Sequence, residues 1–85
     1  MILIEKASYL PPYAVHLCFQ GGEAYTVDLG EVIRNDHRPV IRELGNTDLF
    51  ARLTVDADTL CWPNGVDFAP EFLYALATSQ HASAS

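Results

Sequence analysis

Tyr13-Ala-Val-His-Leu-Cys-Phe19-Gln-Gly21-Gly22-Glu-Ala-Tyr25-Thr-Val-Asp-Leu29 carries two alternating runs separated by a glycine pair. Side chains of an extended strand point to opposite faces in turn. Tyr13, Val15, Leu17 and Phe19 therefore share one face, and Ala14, His16, Cys18 and Gln20 share the other. The second run repeats the pattern with Tyr25, Val27 and Leu29. Gly21-Gly22 can take backbone angles that a β-carbon forbids, as a tight reversal requires. Two half-buried strands joined in this way predict a hairpin with one apolar face in need of cover.

Upstream, residues 2–6 read as a short strand, and Tyr9-Leu-Pro11-Pro12 punctuates the chain, since proline removes a donor and biases its predecessor away from helix. Downstream, Gly30-Glu-Val-Ile33 reads as either a helical turn or a strand end, Asn35-Asp36 as a turn and Pro39-Val-Ile41 as a short extended segment. Asn46 or Thr47 caps a short helix with Asp48 in its first turn and Leu49, Phe50 and Leu53 on one face. Residues 53–56 and 59–62 read as strands linked through Asp56-Ala-Asp58, and Pro63-Asn64-Gly65 as a turn. A second helix over about 70–78 opens on Pro70, with Glu71 in its first turn and Phe72, Leu73, Leu76 and Ala77 facing inward. The pattern predicts an α+β fold: a small, mostly antiparallel sheet of four or five strands, with a short middle helix and a C-terminal helix packed on one face. Residues 1–78 are expected to form one domain and 79–85 a frayed tail.

Eighty-five residues, 49% of them apolar or aromatic, support one modest core and argue against global disorder. Eleven acids against five bases leave a formal charge of −6. Such a field opposes phosphate and anionic lipid and favours a basic partner. The first apolar run meets Glu5 after four residues, too short for a signal peptide, and no stretch approaches membrane-spanning length. A cytoplasmic protein with no membrane partner is the expectation.

The chemistry-bearing residues are sparse. Cys18 and Cys61 lie in apolar runs and read as small buried hydrophobes, without the Cys-x-x-Cys or paired-histidine spacing of zinc. Asp56-x-Asp58 lacks the further ligands of a calcium loop, and Gly21-Gly22 lacks a Walker lysine. No metal, cofactor or catalytic grouping is expected, with His16, His37 and His81 scattered. Arg34, His37, Arg38 and Arg42 gather three of the five bases. They read as a positive patch able to grip a carboxylate or phosphate, or as a solvated connection closed by internal ion pairs. Trp62-Pro-Asn-Gly-Val-Asp67 reads either as a core cap and turn, with Asp67 bonding the backbone amides that follow, or as a loop presenting Trp62, Asn64 and Asp67 to a partner. The candidate interaction surface is thus Arg34, His37, Arg38, Arg42, Trp62, Asn64 and Asp67.

Asn46-Thr-Asp-Leu-Phe-Ala-Arg52 followed by Leu60-Cys-Trp-Pro-Asn-Gly-Val-Asp-Phe-Ala-Pro-Glu-Phe-Leu-Tyr74 resembles a small bacterial family, domain of unknown function 2442. Tyr9-Leu-Pro-Pro-Tyr13, Gly22-Glu23 and Val27-Asp28-Leu29 extend the likeness to about residues 5–76. Asn46-Thr47 departs from the Asp-Pro that the family pattern favours, but Asn still serves as a cap. The resemblance supplies no catalytic residues. Some relatives carry an added helix-turn-helix domain, and a chain ending near residue 85 is expected to lack one. Other relatives resemble one half of a toxin–antitoxin pair.

Together these readings predict a non-catalytic macromolecular interaction module, in the form of the neutralising partner of a toxin–antitoxin-like pair. Its partner would be another small protein, basic in charge. An exposed strand edge further predicts a homodimer. One alternative is a nucleic-acid-linked regulator using the Arg34–Arg42 patch. Another is a small ligand-binding domain or enzyme that joins His16 or His37 to Cys61 or Asp67.

Overall fold

The computed structural model describes residues 1–83. Strands β1 (Ile4–Leu10), β2 (Ala14–Phe19) and β3 (Ala24–Asp28) form an antiparallel meander in that order. Val15 faces Tyr9 across one ladder and Val27 across the other. The alternation has its expected result: Val15, Leu17, Phe19 and Val27 are buried, while Ala14, His16 and Cys18 are only partly covered. Gly21 and Gly22 sit at φ of 102° and 104°, angles that carry the β2–β3 turn.

The expected single sheet of four or five strands is not formed. Strands β4 (Thr54–Asp56), β5 (Thr59–Cys61) and β6 (Asp67–Phe68) make a second, separate antiparallel sheet. The reason lies in local closure. Ala57 and Asp58, at φ of 51° and 64°, fold β4 tightly onto β5, and β6 returns to take the other edge of β5. The first sheet hydrogen-bonds to the tip of that hairpin. There the Ile4 N–H donates to the Asp58 carbonyl and Gln20 Nε2 donates to Asp58 Oδ1, each at 3.1 Å.

Four helices, rather than two, are found among the described residues. They are α1 (Gly30–Asn35), α2 (Pro39–Arg42), α3 (Thr47–Phe50) and α4 (Pro70–Ser83), with a 3-10 turn at Glu43–Gly45. The segment read as extended at Pro39 is helical because the prolyl ring presets the first helical turn, and Ile41 is buried. Asn46 caps α3 as expected, its side chain accepting from the Asp48 N–H at 2.9 Å. None of the four is long and apolar enough to cross a membrane.

Helix α4 corrects two further expectations. Leu73 and Ala77 turn fully inward, whereas Phe72, expected to join them, stays 44% exposed. Tyr74, expected off the stripe, packs edge-on against Phe19 and Tyr25 at 5.3 and 6.0 Å between ring centres. Its hydroxyl donates to Glu23 Oε2 at 2.6 Å. Helix α4 runs on through Ser83, past the expected helix end at about residue 78. The Gln80 side chain accepts from the Asp28 N–H and donates to the Asp28 carbonyl, both at 2.8 Å, and His81 lies 5.6 Å from the Tyr25 ring. Residues 84 and 85 lie outside the described residues.

One buried cluster joins both sheets. Phe50 is its hinge: Tyr9 and Tyr13 of the first sheet and its turn lie 5.7 and 5.6 Å from the Phe50 ring, and Trp62 lies 5.5 Å away on the other side. Trp62 then meets Phe68 at 5.5 Å, and Phe68 meets Phe72 at 5.7 Å. This chain of rings runs from the first sheet through the core to the surface beside α4.

Candidate interaction surface

The basic stretch is shaped by an ion pair inside it. Asp36 accepts from Arg38 three times: from its backbone N–H at 2.8 Å, from Nε at 3.0 Å and from Nη2 at 2.8 Å. The planar guanidinium suits this two-point grip on a carboxylate. The Arg38 side chain remains 69% exposed, but its charge is matched by the chain's own Asp36, which is 16% exposed. The Arg38 side-chain bonds, followed by the Arg38 backbone N–H, hold the Asp36 carboxyl at about 2, below its ordinary 3.8.

A carboxyl whose value falls on folding contributes stability above 3.8, and that contribution is lost as pH drops through about 2. An NMR titration of the Asp36 carboxyl is therefore expected to show a midpoint near 2. In Arg38→Ala the midpoint should rise toward 3.8 without reaching it, because the backbone N–H still donates. An unchanged midpoint in that variant would refute the pairing.

Arg34 and Arg38 open on different hollows. Val32 and Arg34, two residues apart, lie on opposite sides of helix α1. Arg34 lines a hollow of about 390 Å³ with Tyr13, Asp28, Glu31 and Gln80. Arg38 lines a different one. His37 and Arg42 are exposed, before and at the end of α2.

Trp62 is buried and offers no edge to a partner. Its Nε1 donates to the Phe50 carbonyl at 2.9 Å. The turn after it closes through Trp62 N–H to the Val66 carbonyl at 2.9 Å, with Gly65 at φ 93°. Asn64 stitches that turn to helix α2. Its Nδ2 donates to the Val40 carbonyl at 3.0 Å and to Glu43 Oε1 at 2.9 Å, and its Oδ1 accepts from the Val66 N–H at 3.2 Å. The bond to a following amide, expected of Asp67, is thus made by Asn64.

Asp67 is exposed on β6, opposite Cys61. Burial, with the nearby carboxylates of Asp67 and Asp56, pushes the Cys61 thiol up, away from the nucleophilic thiolate. Cys18 and Cys61 are both free. His16 lies on the first sheet, its Nδ1 3.0 Å from Thr26 Oγ1, while Cys61 and Asp67 belong to the second. Among the described residues, no three His, Cys, Asp or Glu side chains gather as a metal site would require.

What the fold does assemble is a groove of about 430 Å³ between α1 and the start of α4. Val32, Phe68 and Phe72 give it an apolar lining, with Asp36 and Arg38 on one part of the wall and Asp67 on another. Two of the residues singled out from sequence, Arg38 and Asp67, therefore come together here. The three apolar residues were missed as surface groups. No local signal marks them: Phe68 lies on β6 and Phe72 on α4, and it is the chain path between the two elements that brings their ring centres to 5.7 Å.

A search of curated proteins finds no match to the chain. Among solved structures, the fold is similar to that of a Nitrosomonas europaea ATCC 19718 protein named "Putative DNA Binding Protein". The TM-score is 0.82 at 22% identity. The match covers 96% of this chain and 52% of the other, so this chain spans about half the length of that relative. The family model described as Protein of unknown function (DUF2442) matches residues 4–79, a region that takes in both sheets and the groove between α1 and α4, and the chain belongs to that family.

Proposed function

We propose that the protein is a non-catalytic module in nucleic-acid-linked regulation, and that it acts by holding another protein rather than by gripping phosphate. The observation that carries this reading is the fold shared with half of a protein named for DNA binding. Charge supports the second part. The chain carries −6, Arg38 is matched by Asp36, and Arg34 opens on a different hollow. Phosphate binding needs several bases on one surface. The toxin–antitoxin pairing and the homodimer expected from sequence draw no support from the fold or from this relative.

The test is affinity purification of the tagged chain from its native cells, with and without nuclease. A nucleic-acid-binding protein should co-purify and persist after digestion, while DNA or RNA is lost. Recovery of no such protein would sink the link to nucleic acid. Tight binding of mixed DNA or RNA by the purified chain, falling steeply with salt, would sink the protein-contact part.

A further inference from the structure

We propose that the groove between α1 and α4 receives an apolar side chain from a partner segment that carries a lysine or arginine next to it. This rests on the protein-contact reading above and names the chemistry of the partner.

Two observations carry it. The first is the exposure of Phe72, 44% open beside Phe68 in a protein whose other phenylalanines are buried. Tyr74, Leu73 and Ala77 show that α4 has an inward face, and Phe72 lies outside it, at the groove. Keeping a large ring in water forgoes burial that a partner's side chain would restore.

The second is the charge around the opening. Arg38 is held by Asp36, so the two together add little net field. Asp67 on the wall is an exposed acid outside that ion pair. The uncompensated charge at the groove is therefore negative, in line with the −6 of the chain. An apolar group alone would leave Asp67 unpaired, and an acidic segment would be repelled. A basic residue flanking the apolar anchor satisfies both features.

The experiment is selection of a random linear peptide library on the purified chain, followed by mapping of an enriched peptide. Enriched sequences should pair a Leu, Met or aromatic residue with an adjacent Lys or Arg. NMR shifts on binding should centre on Val32, Ala69 and Phe72. Asp67→Lys should weaken the peptide roughly tenfold or more, with recovery when the peptide's base is changed to Glu. Phe72→Ser should weaken it without charge dependence. Both positions are exposed, and an unchanged near-ultraviolet signal from Trp62 reports that each variant is folded.

Enriched peptides without bases, or shifts that map away from the groove, would overturn the proposal. So would a sedimenting dimer of the wild-type chain that Phe72→Ser dissociates, which assigns the groove to a second copy. Because the selection uses the isolated chain, its failure removes this groove and leaves the co-purification result standing. Failure of co-purification in turn leaves the peptide result intact.

Discussion

Trp62→Ala is expected to destabilise the protein strongly and to lower its urea midpoint well below that of wild type. Trp62 is 4% exposed and packs against Phe50 on one side and Phe68 on the other. Truncating a buried aromatic of this kind costs about 3–5 kcal/mol. A chain of this size has roughly 4–13 kcal/mol in total. The loss also separates the two sheets, because Phe50 and Trp62 are where the core passes from one to the other. Trp62→Phe resolves the parts. It keeps a ring but removes the Nε1 donor, and the Phe50 carbonyl then retains only the longer 3.3 Å bond from the Leu53 N–H. That bond is worth about 1 kcal/mol, to which a smaller packing loss is added. Urea unfolding of both variants checks this. A Trp62→Ala midpoint within experimental error of wild type would mean that the ring does not join the sheets.

Asn64→Asp should destabilise more than Asn64→Ala at neutral pH, although it is the closer in shape. Alanine loses three hydrogen bonds, for about 3 kcal/mol in all. Aspartate keeps an oxygen for the Val66 N–H. It also places a second oxygen where Nδ2 now donates to the Val40 carbonyl and the Glu43 carboxylate. Two acceptors and a like charge then face it. Protonating that carboxyl restores a donor and removes the repulsion. Repulsion makes that carboxyl harder to ionise in the folded chain than in the unfolded one, so the aspartate variant should regain part of its stability as pH falls from 7 toward about 4 and gain no more below it, while the alanine variant should show no such gain. Thermal melts of both variants between pH 7 and pH 3 provide the measurement. Parallel curves would show that the Nδ2 contacts carry no weight.

Much of this fold is written locally. The hairpin is readable because Val15, Leu17 and Phe19 alternate over a run long enough to show a period of two. The capping of α3 is readable because Asn46 acts within two residues of itself. What was not readable depends on short or distant pairing. Strand β6 has two residues and α2 has four, so neither can display a period. The split into two sheets turns on strand order: the edge of β5 is taken by β6 and not by β1. No single segment states that order.

The candidate site divides in the same way. Arg38 and Asp67 were singled out, but as members of different features. Only the tertiary packing of the α1–α2 connection against the start of α4 puts them in one groove. Trp62, by contrast, was misplaced as a presented edge by one of its two readings. Its bond to Phe50, twelve residues away, decides for the core.

The carboxamide of Gln80 has a further meaning. Because the Leu29 N–H points inward to the Tyr13 carbonyl, alternation turns the N–H and C=O of Asp28 outward, to the margin of the first sheet. A primary amide carries the same donor and acceptor as a peptide unit, and Gln80 offers both to Asp28. The last turns of the helix thus act as a one-residue surrogate strand, plugging a margin that would otherwise template the addition of foreign chain. Trimming the protein before Gln80 would spare Leu73 and Ala77 in the interior, yet lay bare the backbone of Asp28 at the end of that margin.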